Sequence, residues 1–174
     1  MWTTFIGFMG CGKTTVARRL EAGTKRPRLD LDRMIRDQAG LSIEEIFARR
    51  GEGAFRELEL MALQEAQTRG DLILDPGGGI VETAACTGLL RRQGVVIWLD
   101  CSWETARSRI LQDGDRSRPL LRRLGGAGLE ALFRRRRLLY ARAAHFRLFS
   151  DRETLDDLAK KAMLWSLLWE GRGS

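Results

Sequence analysis

Cysteine and histidine are scarce in this 174-residue chain, and lysine is scarcer than its net charge suggests. No apolar run approaches the length of a membrane span. Each scarcity excludes something. Cys11, Cys86 and Cys101 are unevenly spaced, which fits neither a disulfide framework nor a zinc site, so reduced thiols are expected. His145 stands alone, and a solitary histidine is more often packed or solvated than catalytic. Without a long apolar stretch no helix is expected to cross a bilayer, and residues 1–6 are too short for a signal-peptide core. The expected location is the cytoplasm.

The net charge of +7 is carried almost wholly by arginine, since Lys13, Lys25, Lys160 and Lys161 are the only lysines. Basic excess suits nucleic acid, anionic lipid or a small anionic substrate. Arginine in particular suits bidentate recognition of phosphate and carboxylate. A coding bias would enrich arginine too, so the positions matter more than the count.

What is present is one domain's worth of chain with ordinary globular composition, 44% hydrophobic and 30% charged. Strands are expected at Trp2–Ile6, 27–32, 71–75, "VVIWLD" and "HFRLFS". Helices are expected from Lys13 to Glu21, over "GLSIEEIFARRG", from Ala54 to Thr68, up to Gln93, after Ser102, from Leu129 and from Thr154. Ser42 and Glu45 form a capping box, and Gly51 ends that helix. Residues 112–128, polar and rich in glycine and arginine, read as a mobile loop. Strands alternating with helices predict a parallel sheet covered on both faces, with ligands beyond the carboxyl ends of the strands.

The octet Gly7-Phe8-Met9-Gly10-Cys11-Gly12-Lys13-Thr14 matches G-x-x-x-x-G-K-[ST] between an expected strand and an expected helix. Such a loop turns backbone N–H groups around phosphate oxygens. Its lysine reaches the β and γ phosphates, and its threonine hydroxyl serves magnesium. Several other segments stay open between two readings. Asp30 and Asp32 share one face if the chain is still extended, so that one serves a metal and the other an acceptor hydroxyl; alternatively they start a helix. Arg56 and Glu59 are an exposed pair, or Glu59 aims Arg56 at an anion. Gly77–Gly79 admits a ligand close to the backbone or makes a tight turn. Asp75 stands where a carboxylate can order magnesium through water. The loop arginines, Arg116, Arg118, Arg122 and Arg123, close over a nucleotide or are solvated. Of Arg134 to Arg137, at most two can face one ligand.

Taken together, "GFMGCGKTT", "DLD", "SIEEIFARRGEGAFRELE", "PGGG", "RPLL" and the Arg-Leu-Leu-Tyr helix resemble the shikimate kinase family over nearly the whole chain. The resemblance implies one P-loop kinase domain, residues 1–174, with a five-stranded parallel sheet of order 2-3-1-4-5. It also implies a substrate-binding region at about 32–60 and a lid at about 112–128. It implies transfer of the γ-phosphoryl of ATP to the 3-hydroxyl of shikimate, with Mg2+. ATP would meet Gly10, Cys11, Gly12, Lys13, Thr14 and Thr15, with Arg109 on the adenine side and Arg118 from the lid. Thr14 and Asp30 would serve the metal. Shikimate would meet Asp32, which holds a hydroxyl and accepts its proton, the carboxylate clamp Arg56 and Arg136, the walls Phe47 and Phe55, and Gly77, Gly78 and Gly79. Lys13, Asp32 and Arg118 would carry the catalysis. A monomer is expected, with no nucleic-acid or membrane partner. Asp75-Pro76 departs from the neutral residues usual before the triple glycine, and the lid is a little longer than common forms. The rival readings are a kinase of the same architecture for another acid such as gluconate, an arginine-driven nucleic-acid binder, and an idle nucleotide-binding domain.

Overall fold

The structure is a computed structural model that describes residues 1–112 and 118–171, without the side chains of residues 118, 119, 121 and 122. Five strands form one parallel sheet in the order β2-β3-β1-β4-β5. They are β1 (Trp2–Ile6), β2 (Arg28–Asp30), β3 (Leu72–Asp75), β4 (Gly94–Asp100) and β5 (Phe146–Phe149). β1, β3 and β4 are buried along their whole length, as strands covered on both faces must be. The register sets Asp30 beside Asp75 at the carboxyl ends of β2 and β3, and Ile6 beside Trp98 just before the P-loop leaves β1.

The helices are α1 (Lys13–Thr24), α2 (Leu31–Ala39), α3 (Ile43–Ala66), α4 (Ala84–Gln93), α5 (Trp103–Gln112), α6 (Arg118–Ala143) and α7 (Leu155–Glu170). α1 packs on α7, and α4 packs on α3 and α6, so both faces of the sheet are covered. Thr3 on β1 meets Ser166 on α7 at 2.7 Å between hydroxyls. On α7, Leu158 and Ala162 are buried and Trp165 and Trp169 pack partly against the core, while Leu164, Leu167 and Leu168 stay exposed. His145 is packed rather than catalytic: its Nδ1 accepts from the Val96 N–H at 3.0 Å and its ring lies 4.1 Å from that of Trp169. All three cysteines are free and buried.

Two expectations change and one holds. The strand expected over 27–32 stops at Asp30, and α2 begins at once. Asp30 is its N-cap, accepting from the Arg33 N–H at 2.9 Å, and Leu31, Met34 and Ile35 bury a helical stripe. Asp32 therefore sits in the first turn of a helix and not on an extended strand. Second, the helix stop expected at Gly51 holds: its backbone is non-helical (φ 80°), and α3 is two helical stretches meeting at that kink. Third, residues 118–128, expected as loop, are the start of α6, broken at Gly125 (φ 66°). Leu120 and Leu124, one turn apart, pack against the core there, an apolar spacing that the surrounding glycines hid. Arg116, in the remainder of that expected loop, lies outside the described residues.

Candidate active site

The P-loop closes tightly on β4 before it turns into α1. A Cβ on Gly7 (φ 147°) would stand 2.3 Å from the Leu99 carbonyl oxygen and 2.7 Å from Cys11 Sγ, so only glycine fits. Gly12 (φ 90°) is the N-cap of α1 and offers no side-chain cap, which leaves the first N–H groups of the helix for an anion. Lys13 folds back over the loop, donating from Nζ to the Gly7 and Phe8 carbonyls at 2.9 and 3.2 Å. Both are weak neutral acceptors that a phosphate oxygen replaces with gain. Cys11 faces inward, and burial raises its thiol. Thr15 is exposed on the first turn of α1. Arg109, on α5, donates to the Gly10 carbonyl at 3.1 Å and to the Ser150 carbonyl at 3.1 Å. Its guanidinium thus ties the loop to the end of β5.

Beside the loop, Asp30, Asp32 and Asp75 gather at the ends of β2 and β3. Asp75 is buried beside Thr14 and 3.4 Å from Arg28; burial, against the pull of Lys13, raises its carboxyl. Burial also lifts Asp32 to about 6, with the Asp30 charge adding and the Lys13 charge opposing. Asp32 Oδ1 is buried without a hydrogen-bond partner. A carboxyl so placed is ready to take a proton from a hydroxyl.

The departure at Asp75 sets a further carboxylate beside Asp30 and Thr14. The Thr14 hydroxyl with Asp30 and Asp75 makes a set of hard oxygen donors, which fits Mg2+ held largely by phosphate and water.

The triple glycine brings the two sides together. A Cβ on Gly77 would stand 2.7 Å from Asp32 Oδ1, and one on Gly79 would stand 2.6 Å from Arg56 Nη1. The missing side chains are what let a carboxylate and a guanidinium lie against the same turn. Between them the Gly78 carbonyl accepts from the Tyr140 hydroxyl at 2.7 Å, which joins the turn to α6. Arg56 donates to Glu59 at 2.7 Å and Glu52 at 2.9 Å. Glu59 is buried, and burial pushes its carboxyl up to about 7 against the opposing Arg56. The pair is a buried one that aims Arg56, rather than an exposed one.

Arg136 is buried on α6 and donates from Nε to Glu82 at 2.8 Å. Phe47 and Phe55 lie against each other with centroids 4.7 Å apart, and the Arg123 guanidinium from α6 lies 5.9 Å from the Phe47 ring. The Arg118 side chain lies outside the described residues.

Of the other arginines in the run, Arg134 pairs with Glu130, Arg135 with Glu82 and Arg137 with Asp100. Asp100 is buried at the end of β4 and also accepts from Arg147. Glu82, Asp100, Arg28 and Glu52 were not singled out from sequence. The partners of Glu82 and Asp100 lie far away along the chain, as does Asp75 for Arg28, whose other partners Glu21 and Asp30 are near in sequence; Glu52 carried a signal in its spacing of one helical turn from Arg56.

Among known proteins, the family model for shikimate kinase matches residues 9–165. A shikimate kinase of Symbiobacterium thermophilum is 40% identical over 159 residues, covering 91% of each chain. One of Moorella thermoacetica is 43% identical over 136 residues, covering 78% of each. The solved structure of the shikimate kinase from Acinetobacter baumannii in complex with shikimate superposes with a TM-score of 0.81 at 34% identity, covering 92% of this chain and 89% of that one. Sequence and fold agree, and this chain belongs to the shikimate kinase family.

Proposed function

We propose that this chain transfers the γ-phosphoryl group of ATP to the 3-hydroxyl of shikimate. The observation that carries the reading is the triple glycine with Asp32 lying against Gly77 and Arg56 against Gly79, in front of the P-loop. A small acid with a hydroxyl at one end and a carboxylate at the other matches that spacing of a proton acceptor and a cation.

Phosphoryl transfer asks for positioning and charge neutralisation rather than covalent help. ATP draws Lys13 off the Gly7 and Phe8 carbonyls and onto its phosphates, while the N–H groups of Gly10, Cys11, Gly12, Thr14 and Thr15 surround them. Asp32 holds the acceptor hydroxyl and takes its proton. Arg56 and Arg136 hold the carboxylate, with Phe47 and Phe55 as walls and Gly77–Gly79 as backbone contact. Arg118, at the start of α6, reaches the migrating group from the lid side. Arg109 acts on the nucleotide side by shaping the loop at Gly10. Thr14 and Asp30 hold Mg2+, which neutralises phosphate charge when bound.

No helix among the described residues is long and apolar enough to cross a membrane. The chain is proposed to work in the cytoplasm, as a monomer and without nucleic acid. Many of its arginines are already paired with acids, as in Arg19–Asp156, Arg49–Glu45 and Arg69–Glu65.

The test is ADP release from MgATP with shikimate, with gluconate and with no acceptor. Release that requires shikimate is the expected result. Release with gluconate alone would move the acceptor, and none with either would leave a nucleotide-binding domain without this activity.

A further inference from the structure

Arg136 is half of the proposed carboxylate clamp, and the group that holds it has no part in the reaction as described so far. Glu82 ends the short 3-10 turn Ile80–Glu82 that follows the triple glycine. Its own N–H donates to the Gly79 carbonyl at 2.9 Å, which fixes it to the turn that Arg56 lies against. Its Oε1 accepts from Arg136 Nε at 2.8 Å and from Arg135 Nη2 at 2.6 Å. The Arg136 side chain is 10% exposed and that of Glu82 15%, whereas that of Arg135 is 63% exposed.

The two clamp arginines are gripped differently. Arg56 is held by both terminal nitrogens, on Glu59 and Glu52, and its Nε is buried without a partner. Arg136 is held by Nε. A guanidinium meets a carboxylate bidentately along one edge, and a grip on Nε leaves the edge formed by Nη1 and Nη2 for an incoming acid. Tyr140, one turn further along α6, lies beside Arg136 and donates to the Gly78 carbonyl, so Arg136 belongs to the same corner as the triple glycine. The charges also add usefully. One carboxylate shared by two guanidinium groups leaves Arg135–Glu82–Arg136 one positive charge in excess, so the grip does not cancel the attraction for an anion.

We infer that Glu82 is a positioning residue that grips Arg136 by Nε and so aims its terminal N–H groups at the acceptor's carboxylate. This rests on the reading of Arg136 as part of the clamp. Arg135, on the same oxygen from the solvent side, supplies the surplus charge.

Steady-state kinetics of the full chain with MgATP and shikimate test it, together with thermal melting. Glu82→Ala is expected to raise the KM for shikimate about tenfold, while kcat and the KM for ATP stay within about twofold. Glu82→Gln keeps an oxygen where Nε–H can reach it, and should return that KM to within about threefold of wild type. Glu82→Asp keeps the charge but withdraws the oxygen by one methylene. It carries the same test if the alanine variant does not fold, with a several-fold rise expected. An unmoved KM for shikimate in the alanine or aspartate variant overturns the inference. So do equal rises in both KM values with a lower melting temperature and no rescue by glutamine, which would mark a merely structural ion pair. A wild-type chain without shikimate-dependent turnover would instead overturn the functional reading itself.

Discussion

The phosphate cradle of the proposed nucleotide side is laid down in one unbroken stretch from Gly7 to Thr15, whereas the proposed acceptor side draws Asp32, Arg56, Gly77–Gly79 and Arg136 from four separate segments. The first is shaped by backbone: close approach at Gly7, an uncapped helix start at Gly12, and a lysine resting on carbonyls. The second is shaped by side-chain carboxylates, with Glu59 and Glu52 on Arg56 and Glu82 on Arg136. A backbone cradle suits any nucleoside triphosphate. A clamp of aimed guanidinium groups chooses one acid. The two halves meet at the triple glycine, and substitutions should separate them.

The largest effect is expected on the nucleotide side. Lys13→Ala should lower kcat by about 10^2- to 10^3-fold, as loss of one preorganised charge on the transferring group does, and an unimpaired variant would undo the P-loop argument.

Asp32→Asn comes next, at about 10^2-fold in kcat with substrate binding largely kept. Its pH profile sharpens the comparison. Asp32 must be ionised to accept a proton, so wild-type kcat/KM for shikimate should rise with pH up to about 6 and flatten above it, and that limb should vanish in the asparagine variant. The same raised value has a cost in stability. The folded chain binds this proton more tightly than the unfolded one, so the stabilisation is complete below the ordinary 3.8 and is lost as pH climbs through about 6. Asparagine mimics the protonated carboxyl and does not titrate, so the melting temperatures of wild type and variant should lie close together below about pH 4 and diverge as pH rises, with wild type falling below the variant.

On the acceptor side Arg136→Ala should raise the KM for shikimate by about 10- to 100-fold and leave the ATP constant within about twofold. Collapse of ATP binding instead would show that the halves are not separable. Smallest is Arg109→Ala. The side chain bridges Gly10 and Ser150, so a several-fold rise in the KM for ATP alone is expected, and an effect confined to shikimate would contradict its place on the nucleotide side.

The same division explains what was legible in the sequence. Five strands, their alternation with helices and the P-loop are local patterns, and each appears within a residue or two of where periodicity put it. α2 stood as only one of two readings at Asp30 and Asp32, because Leu31 extends the apolar run of β2 while Asp30 caps the helix that follows. The start of α6 was missed because Gly125, Gly126 and Gly128 outweighed the pairing of Leu120 with Leu124. Arg56 and Arg136 were found through the family resemblance, but most of the acids that hold the acceptor side together were not found at all. Glu82 meets Arg136 across 54 positions, and Asp100 meets Arg137 across 37. No spacing rule reaches that far. Only the fold brings those charges together.

The inward-facing Cys11 has a consequence for chemical reactivity. Burial raises its thiol, and lifts those of Cys86 and Cys101 to about 11 and about 12. Alkylation and peroxide oxidation both proceed through the thiolate, which none of the three populates near neutral pH. A cysteine introduced on the surface would therefore take a label alone, leaving the nucleotide loop unmodified and the enzyme fit for single-site spectroscopy without removal of its own thiols.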